Sequence, residues 1–103
     1  MPATSPEHRP YQESLKVSAH SRPSAVAGAI AGVIRTHESV DVQAIGAGAT
    51  NQAIKAIIIA RSYLKDDGLD ISCTPSFLDV TIGADERTAI RLLIERHRCA
   101  GRS

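Results

Sequence analysis

The pattern of apolar and polar residues first predicts a strand followed by a helix. Apolar and polar residues alternate over residues 15–19, as they do in a half-buried strand. Pro23 suits the first turn of a helix, and Ser21 or Ser24 is available as its N-cap. The residues that follow predict one apolar helical face, formed by Val26, Ile30, Val33 and Ile34.

A second strand and a second helix are predicted next. Residues 40–45 alternate again, and the small residues 46–49 predict a turn. Thr50 or Asn51 can cap a helix over about residues 51–65. The apolar side chains expected to pack in this helix are Ile54, Ile57, Ile58 and Leu64.

Two features of these helices point to packing beyond the apolar faces. Gly28 and Gly32 are four residues apart and therefore lie on the same side of the first helix. Each costs about 1 kcal/mol relative to alanine, which close approach of another backbone would offset. Ile59 is predicted to lie opposite the apolar face of its helix. Together with the glycine pair it marks a candidate subunit contact.

The last third of the chain predicts strands joined by a hairpin. Strand patterns cover residues 69–73 and 77–82, with a break at Pro75, and residues 88–95 after a turn. Proline is tolerated in a sheet only at a break, a bulge or an edge. The element order is therefore βαβαββ. Helices and strands that alternate in this way are typical of an α/β fold.

Length and composition indicate one small domain. The 103 residues are typical of a single domain, which we place at residues 14–97. Residues 1–13 are rich in proline, serine, threonine and charge and predict a disordered arm, and residues 98–103 predict a flexible tail. Because only 3% of the residues are aromatic, the core must consist of isoleucine, valine, leucine and alanine.

Charge and cysteine usage restrict the class of protein. Twelve basic and 11 acidic residues give a net charge of +1, which weighs against a nucleic-acid binder but does not exclude one. Cys73 and Cys99 form no CxxC pair and the histidines lack metal-ligand spacing, so neither a metal nor another cofactor is predicted. There is no signal-peptide pattern and no apolar run of ~18 residues. We therefore expect a soluble cytoplasmic protein with no membrane partner.

The segment GAGATNQ, residues 46–52, carries the most informative candidate chemistry. Glycines let the backbone approach a ligand, and N–H groups at a helix start attract anions such as the phosphates of DNA, RNA or a nucleotide. A tight strand-to-helix turn explains the same residues, and without GxGxxG or a Walker lysine the motif alone is weak. The candidate contacts in this segment are Gly46, Gly48, Thr50, Asn51 and Gln52.

Three basic residues are candidates for the same surface. Lys16, Arg22 and Lys55 can meet there because both strand-to-helix loops leave one side of the sheet. Such residues hold a protein on phosphates without reading bases, although a solvated surface charge explains each of them equally well. Asn51 is the more natural helix cap, and Gln52 is freer to face a ligand.

Catalytic patterns are weak. A nucleophile needs a base oriented beside it, and the pairing available is Ser21 with the adjacent His20. Adjacent side chains seldom point together productively. We therefore predict that the protein is not an enzyme and has no small-molecule substrate.

Most of the chain resembles a known family. The stage V sporulation protein S family is similar over about residues 14–96, on the segments LKVSAHSRPSAVAGAIAGVIR, DVQAIGAGATNQAIKAIIIAR and DISCTPSFLDVTIGADERTAIRLLIE. The resemblance implies a single Alba-like βαβαββ domain of the α+β, two-layer type, with two helices packed on a four-stranded mixed sheet. Alba chromatin proteins share this fold with the C-terminal domain of translation initiation factor three. Alba-like proteins dimerise and bind DNA or RNA through both strand-to-helix loops and the terminal hairpin.

Carried onto this sequence, the resemblance implies contacts in three places. These are the first loop with His20, Ser21 and Arg22, the segment 46–52, and Arg87 of the hairpin. Family members commonly have lysine where this chain has His20, so a fixed charge becomes pH-dependent. The hairpin is acidic apart from Arg87, which makes it a poor arm for duplex DNA.

We therefore expect a nucleic-acid-binding regulatory protein, a homodimer or higher homo-oligomer, acting in sporulation or a comparable developmental programme through contacts with backbone phosphates. A protein-interaction module that uses the same fold for assembly is the alternative, favoured by the near-zero net charge and the acidic hairpin. A small nucleotide-binding protein at residues 46–52 is a third possibility.

Overall fold

The computed structural model describes residues 13–99. The elements in chain order are β1 (Glu13–Val17), α1 (Pro23–Thr36), β2 (Ser39–Ala44), α2 (Ala47–Lys65), β3 (Leu69–Ile82) and β4 (Asp85–Arg98). The predicted βαβαββ order is confirmed. The arm predicted at residues 1–13 and the tail predicted at residues 98–103 lie outside the described residues, except that Glu13 begins β1, Arg98 ends β4 and Cys99 follows it.

The strands form one mixed sheet in the order β1-β2-β4-β3. β1 runs parallel to β2, and β4 lies antiparallel to both β2 and β3. The two helices pack against each other and cover one face of the sheet. The predicted two-layer fold, with two helices on a four-stranded mixed sheet, is therefore confirmed.

Aliphatic side chains and alanines fill the space between the two layers. Val40 and Val42 of β2 point into this core, as the alternation of apolar and polar residues predicts. The largest fully buried side chains are Ile30, Ile34, Leu64, Ile94, Val40 and Val42. No helix among residues 13–99 is both long enough and apolar enough to span a membrane.

β3 is one continuous strand of 14 residues, whereas the sequence predicted two pieces separated at Pro75. The strand lies at the edge of the sheet, where a proline is tolerated because alternate N–H groups of an edge strand have no ladder partner. The two-residue loop Gly83-Ala84 connects it to β4. Gly83 has a φ of 62° and Ala84 is not left-handed, which is typical of a type II′ hairpin turn.

The surface of α2 differs from the predicted one. Ile54 and Ile58 are 41% and 61% exposed, while Ile59, predicted to lie outside, packs partly buried against the core. The buried residues of the helix are Ala49, Ala53, Ala56, Ile57, Ala60 and Leu64. This buried face is rich in alanine. The larger isoleucines Ile54 and Ile58 therefore led to a wrong prediction of which side of the helix is buried.

The predicted packing contact at the glycine pair of α1 is not made among residues 13–99. A Cβ atom built on Gly28 or Gly32 would meet nothing within 4 Å. The start of α1 also differs, because its N-cap is Arg22 and no side chain, including Ser21 and Ser24, caps it by a hydrogen bond.

Candidate nucleic-acid interface

The two strand-to-helix connections lie side by side at one end of the sheet. β1 and β2 are parallel, and Val17 at the end of β1 pairs with Ala44 at the end of β2. The N-terminus of the helix that follows each strand therefore lies at the same end of the sheet. We call residues 18–22 the first loop, and together with segment 46–52 they form the paired loops.

Two contacts join the paired loops directly. The side-chain Nε2 of Gln52 donates a hydrogen bond of 2.9 Å to the backbone oxygen of Ser21. A Cβ atom on Gly48 would lie 3.0 Å from the Cβ of Ala19, so only glycine lets the start of α2 approach the first loop without displacing it. The structure thus brings together the two loops that the sequence singled out.

The first loop uses much of its polar capacity internally. Ser18 N–H donates to the Ser21 hydroxyl at 2.9 Å, and His20 N–H donates to the Ser18 hydroxyl at 3.1 Å. Ser21 N–H donates to the Ser18 carbonyl oxygen at 3.1 Å. These bonds fix the turn and leave the exposed His20 and Arg22 side chains on its surface.

The N-terminus of α2 begins earlier than the sequence predicted. Gly46 is the N-cap with a φ of 96°, so Thr50 and Asn51 lie inside the helix and do not cap it. The Thr50 hydroxyl donates to the Gly46 carbonyl oxygen at 2.9 Å. Neither helix has a side-chain cap or an acidic residue in its first turn, which favours an anion at either start. The start of α1 offers fewer donors than that of α2, because Pro23 has no N–H group and the Ala25 N–H donates to the Arg22 carbonyl oxygen at 3.0 Å.

Three basic residues and one histidine lie within the paired loops or close to them along the chain. Lys16, His20, Arg22 and Lys55 are exposed, and none forms an ion pair with another residue of the range 13–99. Lys55 lies three residues after Gln52 and therefore on the same side of α2. Lys16 pairs with Gln43 on the sheet face opposite the helices, so a common surface for all four residues stays a prediction.

Arg87 is not part of this cluster. The ladder between β2 and β4 ends at the pair Ala44 and Ile90, so residues 78–89 of the hairpin extend beyond β2. We call these residues the arm, which is distinct from the N-terminal arm predicted at residues 1–13. Arg87 lies on the arm opposite Val80.

A cleft of about 450 Å³ separates the arm from the first loop. We call it the arm cleft. It is lined on one side by residues of β1 and the first loop, at its base by β2, and on the other side by the arm: Lys16, Val17, Ser18, Ala19, Gln43, Ile45, Val80, Thr81, Ile82 and Ala89. Sequence reasoning missed it because it depends on how far the hairpin extends past β2.

An ion pair with a buried carboxylate lies on the sheet face opposite the helices. Asp41 is only 6% exposed and accepts hydrogen bonds from Arg91 Nε at 2.7 Å and Gln43 Nε2 at 2.9 Å. Alternation along β2 places Asp41 on the sheet face away from the helix layer, so the sequence alone predicts that its side chain contacts water. The pairing with a residue 50 positions later gives no local signal.

An apolar surface lies beside α2, on the helix side of the sheet. Phe77 of β3 is 78% exposed, and Ile54 and Ile58 of α2 are exposed as well. Ile54 and Phe77 line a shallow depression, and segment 46–52 contributes Gly46, Ala47, Thr50 and Asn51 to its lining. We call Ile54, Ile58 and Phe77 the apolar face.

The far half of α2 is fixed to β3 by an ion pair remote from the paired loops. Arg61 donates to both carboxylate oxygens of Asp70, at 2.8 and 3.1 Å. The bonds from Arg61, with a further bond from the Ile71 N–H, lower the pKa of Asp70. The bonds to Asp70 raise the pKa of Arg61. Burial raises the pKa of the Cys73 thiol, which disfavours its reactive thiolate form.

The comparison with known families agrees with this architecture. The sequence profile of the family described as Stage V sporulation protein S (SpoVS) matches residues 13–97, nearly all of the described chain. The match supports a sporulation-related role. The chain therefore belongs to the SpoVS family.

Proposed function

We propose that this protein binds nucleic acid through the paired loops and acts as a non-enzymatic regulator in sporulation or a comparable developmental programme. Contacts with backbone phosphates supply most of the binding. The protein acts as a homodimer or a higher homo-oligomer.

The observation that carries this proposal is the junction between the paired loops. The Gln52 to Ser21 hydrogen bond and the close approach of Gly48 to Ala19 hold two uncapped helix starts beside each other. Backbone N–H groups at such starts, with basic side chains around them, suit the oxygens of successive phosphates.

Binding of this kind is sensitive to salt and largely independent of sequence. Each neutralised phosphate of a duplex contributes about 0.9 to the slope of log K against log salt concentration. The small basic cluster and the net charge of +1 imply modest affinity, with a salt dependence set by the few phosphates that the cluster neutralises. The acidic arm tip, with Asp85 and Glu86, opposes an extended duplex footprint.

The test is a fluorescence-polarisation titration with labelled DNA and RNA at several salt concentrations. The double variant Arg22→Gln with Lys55→Gln should weaken binding and reduce the salt slope by about 1 to 2. The matched control is Lys65→Gln with Arg98→Gln, which removes equal charge far from the loops. Absence of binding at low salt, or equal losses in both double variants, would contradict the proposal.

A protein-assembly platform is the second candidate, and the apolar face favours it. Large exposed apolar patches mark protein contacts, and Phe77 with Ile54 and Ile58 forms such a patch. Light scattering should show a dimer or larger species that Ile58→Lys dissociates, whereas Thr36→Lys on the exposed end of α1 does not. Open-ended oligomers together with no effect of nucleic acid would favour assembly as the sole function.

A further inference from the structure

We propose that the arm cleft receives an unpaired base, so that the preferred ligand is single-stranded nucleic acid rather than a duplex. This inference rests on the proposed function, and it adds the class of ligand. It follows from the shape of the cleft, its lining and the charges around it.

The arm cleft has the size and the walls of a site for a flat heterocycle. Its volume of about 450 Å³ lies within the range of small-molecule sites, about 300 to 1,000 Å³. Val80 and Ile82 form the arm side, and Ile45 lies at the base. Ile82 is 50% exposed, so apolar surface remains in contact with water until a ligand covers it.

The lining matches the two kinds of surface that a base presents. The face of a base stacks on apolar side chains, which the aliphatic residues of the arm supply. Its edge needs hydrogen-bonding groups, and the lining includes Ser18, Gln43 and Thr81. A base within a duplex has both faces stacked, and only an unpaired base can enter such a cleft.

The charges around the cleft also favour a single strand over a duplex as the ligand. Ser18 and Ala19 of the first loop form one wall of the cleft, next to Lys16. A single-stranded nucleic acid bound at the paired loops can therefore continue past Lys16 into the cleft. On the arm, Arg87 pairs with Val80, while Asp85 at the tip pairs with Ile82. A flexible single strand can keep its phosphates near Lys16 and Arg87, whereas a stiff duplex across the arm would bring phosphates against the acidic tip.

The experiment compares single-stranded and duplex oligonucleotides of equal length at one salt concentration, with full-length protein. Wild type should bind the single strand more tightly. Val80→Ser combined with Ile82→Ser should weaken single-strand binding about ten-fold and leave duplex binding unchanged. Ile82→Ser alone should also weaken single-strand binding, but by a smaller factor. Because Ile82 is half-exposed, this single variant keeps the test valid if the double variant misfolds.

Tyr63→Ser is the matched control. It removes an apolar side chain that is 41% exposed and lies outside the cleft lining, the paired loops and the apolar face. It should leave the preference for single strands intact. Photocrosslinking with a strand that carries one halogenated pyrimidine should label the peptide containing residues 80–82.

The outcomes separate this inference from the proposed function. Equal binding of both ligands, or a Val80 and Ile82 variant that binds like wild type, overturns the cleft assignment alone. A change in oligomer mass caused by the same variant without a change in binding also overturns it, because the cleft would then hold a second copy. Failure of both ligands to bind at low salt overturns the proposed function itself.

Discussion

The side-chain amide of Gln52 donates a 2.9 Å hydrogen bond to the backbone carbonyl oxygen of Ser21, 31 residues earlier in the chain. This bond connects the second turn of α2 to the first loop, and it is partly buried. It therefore fixes the spacing between the two helix starts. In the proposed function, that spacing determines whether both starts can contact one nucleic-acid backbone.

Gln52→Ala should weaken nucleic-acid binding more than it weakens the fold. Loss of one hydrogen bond costs about 1 kcal/mol of unfolding free energy. The first loop would lose its fixed position, so affinity should fall several-fold while the salt slope changes little, because no charge is removed. Polarisation titrations and urea unfolding measure the two effects.

Ser62→Ala on the same helix is the control for Gln52→Ala. Its hydroxyl donates to the Ile59 carbonyl oxygen at 2.7 Å, a bond within α2. If both variants bind equally well, the Gln52 bond has no role in positioning the loops.

Alanine substitutions at two helical glycines should have different results. Gly28→Ala places a methyl group in open space and should raise the unfolding free energy by about 1 kcal/mol. Gly48→Ala places its Cβ 3.0 Å from that of Ala19, so the first loop must shift. We expect a smaller gain or a loss of stability there, together with weaker nucleic-acid binding.

Urea unfolding of the two glycine variants, with binding titrations, checks this expectation. Equal stabilisation by Gly28→Ala and Gly48→Ala, with unchanged affinity, would show that the loop adjusts freely. Light scattering on Gly28→Ala also tests the glycine pair as a subunit contact. Dissociation there would assign the missing packing partner to a second copy.

The sequence was sufficient for the order of elements because each element has a clear period. The parallel βαβ pattern was also enough to bring the paired loops to one edge. The start of α2 was missed because residues 46–49 are small and have no apolar period. Pro75 was interpreted as a break because edge position in a sheet depends on strand order, which one sequence does not state.

Long-range relationships account for what else was missed. Three consecutive isoleucines, Ile57, Ile58 and Ile59, point in different directions around a helix, and only contacts with the sheet decide which is buried. The arm cleft depends on the register between β2 and β4. The Asp41 and Arg91 pair joins residues that neither periodicity nor motif connects.

Arg91→Met should destabilise the fold. It leaves the buried Asp41 carboxylate without its cation, at a cost of about 2–3 kcal/mol, below the full value for a buried pair because the guanidinium is partly exposed. Arg98→Met, at the exposed end of β4, should change stability by less than about 0.5 kcal/mol. Asp41→Val combined with Arg91→Met should recover part of the loss, since no unpaired charge remains.

Urea unfolding midpoints of these three variants decide the matter. A cost for Arg91→Met no larger than that for Arg98→Met would mean that water or another group satisfies Asp41. In that case the ion pair would be a surface feature of the sheet and would not stabilise it.

The Asp70 and Arg61 pair should make stability depend on pH in a defined direction. The pKa of Asp70 is lower in the folded protein than in the unfolded chain, because the ionised form accepts hydrogen bonds from Arg61 and from the Ile71 N–H. Its contribution is therefore fully present above the ordinary aspartate pKa of about 4 and is lost as pH falls below that value toward the folded-state pKa.

Asp70→Asn removes this charge and should lower the melting temperature by about 2–4 °C at pH 7, as expected for a partly exposed pair. The difference from wild type should stay constant from pH 7 to 5 and shrink between pH 4 and 2. Asp66→Asn, an exposed residue with no ion pair among residues 13–99, is the control. Thermal melts across this range measure both variants. A difference that persists unchanged at pH 2 would show that Asp70 stabilises the fold through its shape and amide-compatible hydrogen bonds, because protonation would then remove nothing.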